Sequence, residues 1–493
     1  MINMFFDIVN WILTNIFGNV AIFMGLLVFI GLLVSGKKFH EALAGFIKAT
    51  VGYLVFTVAA DGFTEQFRPI LFSAKEIFGS NVLVLDGYYG MSIINTLAES
   101  LGRAASLYTI GMVILFGVSL VLVYFRKITK FRCVNIAGNT LNGYSISAFI
   151  FALSIWPEIP DAWLLVFIVA FGLLDLAYAN LIVEDVQEFT DGAGFTVYHT
   201  QTLLIKLADI IGNRISKKAE KEGKEVKRWS TVSLPGWMDI FSDITVSSTF
   251  VMLIVFGALM LMIGKENIAI NDPSVLTVDF PVYIFRKALM FGCYISILTT
   301  GIRMFVSELS VAFNGLSDKV LRGGVPALDI AVTMGFMENP SVLTIGFFIG
   351  TTVNIILAGI LFGFGSPFVA IMGFTSLFFE HGPIAAFADR KGGIKCQMIM
   401  NVITSVVQVV IAGGMAYLMG AAKFGGMGVS SNWAIELVAI MPLLKYAGVI
   451  GVVIVLVIAL GLPWVQYFMH KDTYYLATED WEEYKKVKAL KSM

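Results

Sequence analysis

The sequence predicts an all-α protein that crosses a membrane many times. Of its 493 residues, 57% are hydrophobic and only 14% are charged, and the mean hydropathy is +0.83. Soluble domains usually carry about 25% charged residues, so most of this chain is expected to face lipid or other apolar segments. The second observation is a series of apolar runs, each close to the roughly 20 residues that a helix needs to cross a bilayer.

Eleven apolar runs are predicted to be transmembrane helices. They lie at 20–34, 42–60, 107–124, 143–155, 162–182, 249–264, 281–302, 340–361, 366–380, 399–420 and 445–468. The runs at 143–155 and 366–380 are short, and either could be a re-entrant segment. An odd number of spans places the two termini on opposite sides of the membrane. Because Lys and Arg are enriched in cytoplasmic connections, the basic stretch at 206–228 predicts an outside N-terminus and a cytoplasmic C-terminus.

The connection after the fifth run divides the chain. We expect a first membrane half at 1–182 with five spans, a cytoplasmic linker region at 183–248, a second membrane half at 249–470 with six spans, and a cytoplasmic tail at 471–493. Five spans on each side, with one left over, predict two halves in inverted orientation. Carriers that bind their solute near the bilayer midplane have this arrangement. The halves show no convincing residue-level similarity, so the inverted repeat is predicted from topology alone.

Two polar, glycine-broken segments interrupt the apolar pattern. The first, FTDGAGFTVYHTQTLL, occupies 189–204, and the second, LSVAFNGLSDKVLRGGVPALDI, occupies 309–330. Polar, non-helical backbone at membrane depth is stable only where it is buried in protein or lines a cavity. The two segments therefore predict a carrier in which they form the binding site of a polar solute.

Two residues of these segments are the first candidates for solute contact. His199 can both donate and accept hydrogen bonds, and a partnered core histidine is an equal alternative. Asp329 can accept hydrogen bonds from hydroxyl groups. Its alternatives are a helix cap or an ion pair with Arg322 or Arg303, because a carboxylate near the bilayer interior needs a partner.

Three further features are candidates with simpler alternatives. Tyr88 and Tyr89 in LDGYYGM offer phenol groups, but tyrosine also anchors membrane interfaces. Asn139 follows the basic stretch in NIAGNTLNGYS, where Asn also suits a turn. Asp175, inside the fifth span, is expected to pair with a polar neighbour rather than to relay protons.

Motifs of other protein classes are missing from the sequence. It contains no GxxxxGK[ST], GxSxG or HExxH pattern, so no catalytic residue is assigned. The three cysteines lack the spacing of a zinc site or disulfide framework, and no metal or cofactor is expected. A net charge of -1 argues against nucleic-acid binding.

Three longer motifs resemble a known family. TDGAGFTVYH at 190–199, LPGWMDIFSDITVSS at 234–248 and GIRMFVSELSVAFNGLS at 301–317 closely resemble the ascorbate-type EIIC membrane component of the bacterial phosphoenolpyruvate:sugar phosphotransferase system (PTS). The likeness runs through nearly the whole chain. It implies an inner-membrane homodimer of eleven-span protomers, each with a scaffold domain and a mobile core domain that carries the solute. It also implies that a separate cytosolic EIIB protein, working with EIIA, phosphorylates the solute on release.

The resemblance assigns seven substrate-binding positions in this sequence. They are Gly87, Tyr88, Asn139, Gly143, His199, Thr200 and Asp329. The Tyr, the His and the Asp match the ascorbate members. The other four depart from them: the two glycines replace Thr and Gln, the Asn replaces His, and the Thr replaces Gln. The resemblance makes L-ascorbate the first expectation. Because each lost hydrogen bond is worth about 0.5–1.5 kcal/mol, another sugar acid, a pentose or a polyol is the alternative.

Two other functions remain open at the level of sequence. An ion-coupled secondary transporter could use Asp175 or Asp329 as its proton or Na⁺ site, and a membrane scaffold would carry no solute. The basic linker, with Lys217, Lys218 and Lys221, is a candidate docking site for EIIB or for anionic lipid.

Overall fold

The structure, a computed structural model, describes most of the chain. The residues outside the description are 1–10, 12–15, 17–18, 75–76, 78, 80, 88, 137, 233–235, 237–239, 241–242, 317–322, 338–340, 425 and 493. The described residues form long apolar helices and a few very short strands.

Short strands are placed at intervals among the helices. The helices are α1 Val20–Val34, α2 Phe39–Ser73, α3 Tyr89–Ser100, α4 Ser106–Tyr124, α5 Arg126–Thr129, α6 Gly138–Ile155, α7 Asp161–Leu181, α8 Val183–Thr190, α9 Thr202–Lys221, α10 Ile244–Ile263, α11 Lys265–Asn271, α12 Phe280–Leu316, α13 Ser341–Gly363, α14 Phe374–Val406, α15 Gly413–Leu418, α16 Ser431–Ala447, α17 Val449–Met469, α18 Leu476–Glu479 and α19 Trp481–Ser492. The strands are β1 Val82–Leu85, β2 Cys133–Asn135, β3 Thr196–Val197, β4 Val325–Leu328, β5 Val369–Met372 and β6 Gly426–Met427. Tight 3₁₀ turns lie at Trp229–Thr231, Pro273–Thr277, Ile330–Phe336 and Ala421–Phe424, and a π-helical stretch at Val407–Ala412 joins α14 to α15.

Eight helical stretches of the described chain are long and apolar enough to cross a membrane. They are α2, α4, α7, α10, α12, α13, α17 and the continuous helix Phe374–Leu418. Helices α1 and α6 are also apolar but shorter. The predicted class, an all-α polytopic membrane protein, is confirmed, and the count of eleven spans stays a prediction.

The run at 366–380 differs from its prediction as a separate helical span. Its first part contains strand β5, Val369–Met372, and helix α14 begins only at Phe374. Hydropathy alone does not separate a buried strand from a buried helix segment, so the run looked like one short span. Further on, α14 is kinked at Gly393, whose φ of 66° suits glycine.

The six strands form two parallel sheets that combine both halves of the chain. Their orders are β5-β1-β6 and β2-β4-β3. In the first sheet β1 pairs with β5 and β6, and in the second β4 pairs with β2 and β3. Each sheet thus takes its central strand from one half and its outer strands from the other. Exchanging β1 with β4, β2 with β5 and β3 with β6 converts one order into the other.

The two longest helices, α2 and α12, pack against each other through glycines. A Cβ atom on Gly301 would lie 2.5 Å from the backbone nitrogen of Phe56, and one on Gly52 would lie 2.7 Å from that of Phe305. Small residues allow such close approach between membrane helices. The close approach of α12 to α2 holds Phe56 in position, and Phe56 lines the cavity described below.

The C-terminal tail folds back onto the helices through one buried arginine. The guanidinium of Arg132 is paired with the carboxylate of Glu184. It also donates to the carbonyl oxygens of Asn180 at 2.7 Å and Tyr474 at 2.5 Å. Arg132 precedes β2, so this cluster connects the second sheet, α7, α8 and the tail.

Substitution of Arg132 tests the strength of this connection. We expect Arg132→Gln to lower the free energy of unfolding by about 3–5 kcal/mol, because it leaves the Glu184 carboxylate without its partner. The matched control is Lys127→Gln. The Lys127 side chain is 60% exposed beside Glu479, and this surface ion pair should contribute about 0–1 kcal/mol to the free energy of unfolding. Thermal unfolding of the purified variants measures both. Equal losses of stability would contradict the role given to Arg132.

Candidate functional site

The carboxyl ends of the strands lead to one cavity. Gly87 lies shortly after β1, His199 and Thr200 shortly after β3, and Asp329 directly after β4, and all four line this cavity. Its volume is about 80 Å³, which is room for several water molecules. Residues from the ends of both sheets therefore meet at one place in the interior.

Three helices begin at the same cavity. Helix α6 follows β2, α14 follows β5 and α16 follows β6. An N-terminal helix end carries a partial positive charge. At α16 the N–H groups of Ser431 and Asn432 are already bonded, to the Glu380 carboxylate and to the Thr200 carbonyl oxygen. The cavity residues that they contribute are Thr140, Gly143 and Tyr144 from α6, Thr375, Ser376, Phe379 and Glu380 from α14, and Ser430 and Trp433 at the start of α16.

Glu380 is a buried carboxylate whose hydrogen bonds are complete. Thr200 Oγ1 donates to it at 3.0 Å and Gln408 Nε2 at 2.8 Å. Ser431 donates through both its hydroxyl and its backbone N–H. Four donors match the acceptor capacity of a carboxylate, so Glu380 positions Thr200. Because the Thr200 hydroxyl hydrogen is engaged, its oxygen presents only acceptor lone pairs to the cavity.

The carboxylate of Asp329 has one engaged oxygen. Its Oδ1 accepts a hydrogen bond from the Ala331 backbone N–H at 2.9 Å and caps the turn Ile330–Phe336. The helix-cap alternative is therefore correct for this oxygen. Within the described residues, no ion pair joins Asp329 to Arg303, and Arg322 lies outside them. The same carboxylate lines the cavity, where it can accept a hydrogen bond from a solute hydroxyl.

Three buried donors of cavity residues form no hydrogen bond of normal geometry within the described structure. They are the indole nitrogen Nε1 of Trp433 and the hydroxyls of Ser376 and Tyr144. Tyr144 lies within reach of Asp175. Because buried polar groups are nearly always hydrogen-bonded, the other two donors are available for a polar solute. The Trp433 ring is fixed by edge-to-face contacts with Tyr144 at 5.1 Å and Phe151 at 5.9 Å between centroids.

The structure brings together five of the seven positions assigned from sequence. The five are Gly87, Gly143, His199, Thr200 and Asp329. Tyr88 lies outside the described residues, and Asn139 is in the first turn of α6 without a described side chain. The ring nitrogen Nδ1 of His199 is 3.5 Å from Thr200 Oγ1. The other ring nitrogen, Nε2, is available to the cavity. Contact of these residues with a solute stays a prediction.

Sequence reasoning missed Glu380, Ser376 and Trp433. A signal existed for Glu380, because a carboxylate at the end of the apolar run 366–380 needs a partner or a function. The other two are ordinary residues of apolar stretches, and only the fold shows that they reach the cavity.

A family model described as EIIC-GAT, PTS system sugar-specific permease component, matches residues 15–432. The chain belongs to this family. The resemblance drawn from the three motifs is thereby confirmed, and the family describes a transporter component rather than an enzyme.

A relative from Mycoplasma pneumoniae is named "Ascorbate-specific PTS system EIIC component". It is 25% identical over 445 residues, which are 81% of this chain and 65% of that protein. The chain thus covers slightly less than two thirds of the relative's length.

Two substitutions test the cavity as the solute site of this EIIC chain. We expect His199→Ala and Asp329→Asn each to lower solute affinity by at least tenfold, since a hydrogen bond to a charged group is worth about 1.5–3 kcal/mol. The Asn side chain can still accept from Ala331, so the turn should persist. Binding is measured by calorimetry or thermal shift against a panel of ascorbate, galactitol and pentoses.

Matched controls come from exposed residues of the same types. His470→Ala and Asp279→Asn alter a histidine and an aspartate at the surface, and both should bind normally. Retained affinity in His199→Ala or Asp329→Asn removes that residue from the site.

Proposed function

We propose that the chain is the EIIC permease that binds a sugar-like solute and translocates it for phosphorylation by a separate EIIB. The observation that carries this proposal is the single cavity at which strand ends and helix starts from both halves of the chain meet. Polar groups of fixed direction around a small concave volume suit a solute with several hydroxyl groups. The proposed setting is a homodimer in the bacterial inner membrane, with the N-terminus outside and the C-terminus in the cytoplasm.

The strand topology supports an inverted repeat of five spans. The sheets β5-β1-β6 and β2-β4-β3 interconvert when the strands of the two halves are exchanged in order. Such a relation is expected if β1–β3 and β4–β6 belong to two copies of one ancestral unit. Carriers with this symmetry expose a midplane site alternately to each side of the membrane.

L-Ascorbate is the first solute to test. The resemblance and the printed name of the relative both suggest it, and the helix N-termini at the cavity suit its negative charge. The residue types at Gly87, Asn139, Gly143 and Thr200 differ from those of ascorbate members, so another sugar acid, a pentose or a polyol is the alternative.

Uptake experiments separate group translocation from ion coupling. We expect uptake by vesicles containing the chain to require EIIA, EIIB and phosphoenolpyruvate, and to deliver a phosphorylated product. The physical reason is that only phosphorylation drives accumulation in this scheme. Mass spectrometry of the internal solute gives the measurement. Accumulation of unmodified solute that stops when an uncoupler is added would support a secondary transporter instead.

The basic stretch at the C-terminal end of α9 and just after it is the proposed docking site of EIIB. Its four candidate lysines are exposed, and they are Lys217, Lys218, Lys221 and Lys224. Exposed positive charges accelerate association with an acidic partner surface. We expect replacement of all four by Gln to slow phosphorylation-coupled uptake several-fold while the amount of protein in the membrane stays unchanged.

The control for docking uses Lys37 and Lys38, which are equally exposed between α1 and α2. Their replacement by Gln should leave uptake unchanged. Normal uptake in the four-lysine variant, or an equal loss in the control, would dismiss docking at this stretch. Raising the salt concentration should reduce the difference between wild type and variant, because salt screens exposed charges.

A further inference from the structure

Two buried carboxyl groups lie beside the cavity without taking part in its lining. Asp175 of α7 is 1% exposed and Glu436 of α16 is 5% exposed. The two carboxyl groups are within hydrogen-bonding reach of each other. Among the described residues, neither carboxyl group forms an ion pair with a lysine or arginine.

Helix geometry explains why the two groups meet. Asn432 and Glu436 are four residues apart on α16 and therefore share one helix face. The Asn432 side chain donates from Nδ2 to Asp175 Oδ1 at 3.3 Å. Glu436, one turn further along the same face, reaches the same carboxyl group.

The hydrogen bonds around the pair are incomplete if both groups are ionised. Asp175 Oδ2 and both carboxyl oxygens of Glu436 are buried and accept no hydrogen bond of normal geometry within the described structure. The Tyr144 hydroxyl, which lies within reach of Asp175, is likewise unbonded. Ionised carboxylates only accept hydrogen bonds, whereas a protonated carboxyl also donates one. Two adjacent buried carboxylates also repel each other. A single proton removes one of the charges and supplies a missing donor.

We propose that Asp175 and Glu436 form a proton-binding site in which one carboxyl is protonated and donates to the other. The titratable groups that face the pair are Tyr144 on α6, Tyr178 on α7 and Tyr198 after β3. Phenols ionise only well above neutral pH. They can supply hydrogen bonds but no positive charge, so the proton itself neutralises the site.

The proton site is connected to the solute cavity through Asn432. Its Nδ2 also donates to Thr202 Oγ1 at 2.7 Å, and its backbone N–H donates to the carbonyl oxygen of Thr200 at 2.8 Å. The next residue, Trp433, lines the cavity. Loss of the proton places two like charges between α7 and α16 and pushes the start of α16, with Trp433, out of place.

The effect of this proton on solute affinity, which rests on the proposed function, has a definite sign. Solute binding is strong while the pair holds its proton, and it weakens as rising pH removes the proton. The site acts as a regulator of binding here, so it requires no flow of protons across the membrane.

Infrared spectroscopy of the protein in lipid tests the proton site without any solute. A protonated buried carboxyl has a C=O stretch that is separate from that of carboxylates and shifts in heavy water. We expect this band at neutral pH, and we expect Asp175→Asn and Glu436→Gln each to remove or shift it. Asp329→Asn is the control and should keep the band.

Two results overturn the proton site. One is the absence of the band in the wild-type protein, and the other is an unchanged band in both variants. If a variant does not fold, Asp175→Glu and Glu436→Asp, which keep both carboxyl groups, replace it. Each must then change the frequency of the band, and an unchanged frequency in both rejects the site.

The link to solute binding is tested separately. Wild-type affinity should fall at least tenfold once the pH is raised far enough to remove the infrared band of the protonated carboxyl. The double variant Asp175→Asn/Glu436→Gln, which cannot ionise at this site, should retain an affinity that changes much less with pH. An equal pH dependence in both proteins rejects the link. If no solute binds at any pH, the proposed function fails while the infrared result still decides the proton site.

Discussion

The structure depends on one constraint, the pairing of backbone groups away from water. Each polar segment that interrupts the helices would leave N–H and C=O groups unpaired in the interior, at a cost of several kcal/mol per group in hydrocarbon. Six short strands remove this cost by forming two parallel sheets. Parallel pairing also places the carboxyl ends of neighbouring strands side by side. The residues that follow these ends, among them His199 and Asp329, are therefore brought to one cavity by the same pairing that makes the interruptions stable.

The exchange of strands between the halves has a consequence for how the site forms. Neither sheet can be completed by one half, because β1 needs β5 and β6 while β4 needs β2 and β3. These contacts join residues far apart in sequence, so they form late and cost loop-closure entropy. The cavity thus exists only when both halves are in place, and a relative movement of the halves changes its shape. This coupling is what a carrier requires of its solute site.

The sequence predicts the all-α polytopic class, since hydropathy is a local property, while the count of eleven spans stays a prediction. Five of the seven positions assigned through the resemblance line the cavity, and their contact with a solute stays a prediction. The sequence does not predict strand β5, because an apolar run of this length suits a strand or a helix equally. Nor does it reveal that Glu380 bonds Thr200 and Ser431, or that Asp175 meets Glu436. Such pairs depend on the tertiary arrangement of distant helices, which no local pattern encodes.

Hydrogen-bond completeness distinguishes the roles of the buried polar groups. Glu380 has four donors that fill its acceptor sites, so it positions its neighbours. Trp433 and Ser376 have donors without acceptors, which suits a solute rich in oxygen. Asp175 and Glu436 have acceptors without donors, which suits a proton. Because an unpaired buried group costs about 1–3 kcal/mol, each deficit indicates what the site is built to bind. Asn432, bonded to Asp175 and followed directly by Trp433, connects the carboxyl pair to the cavity.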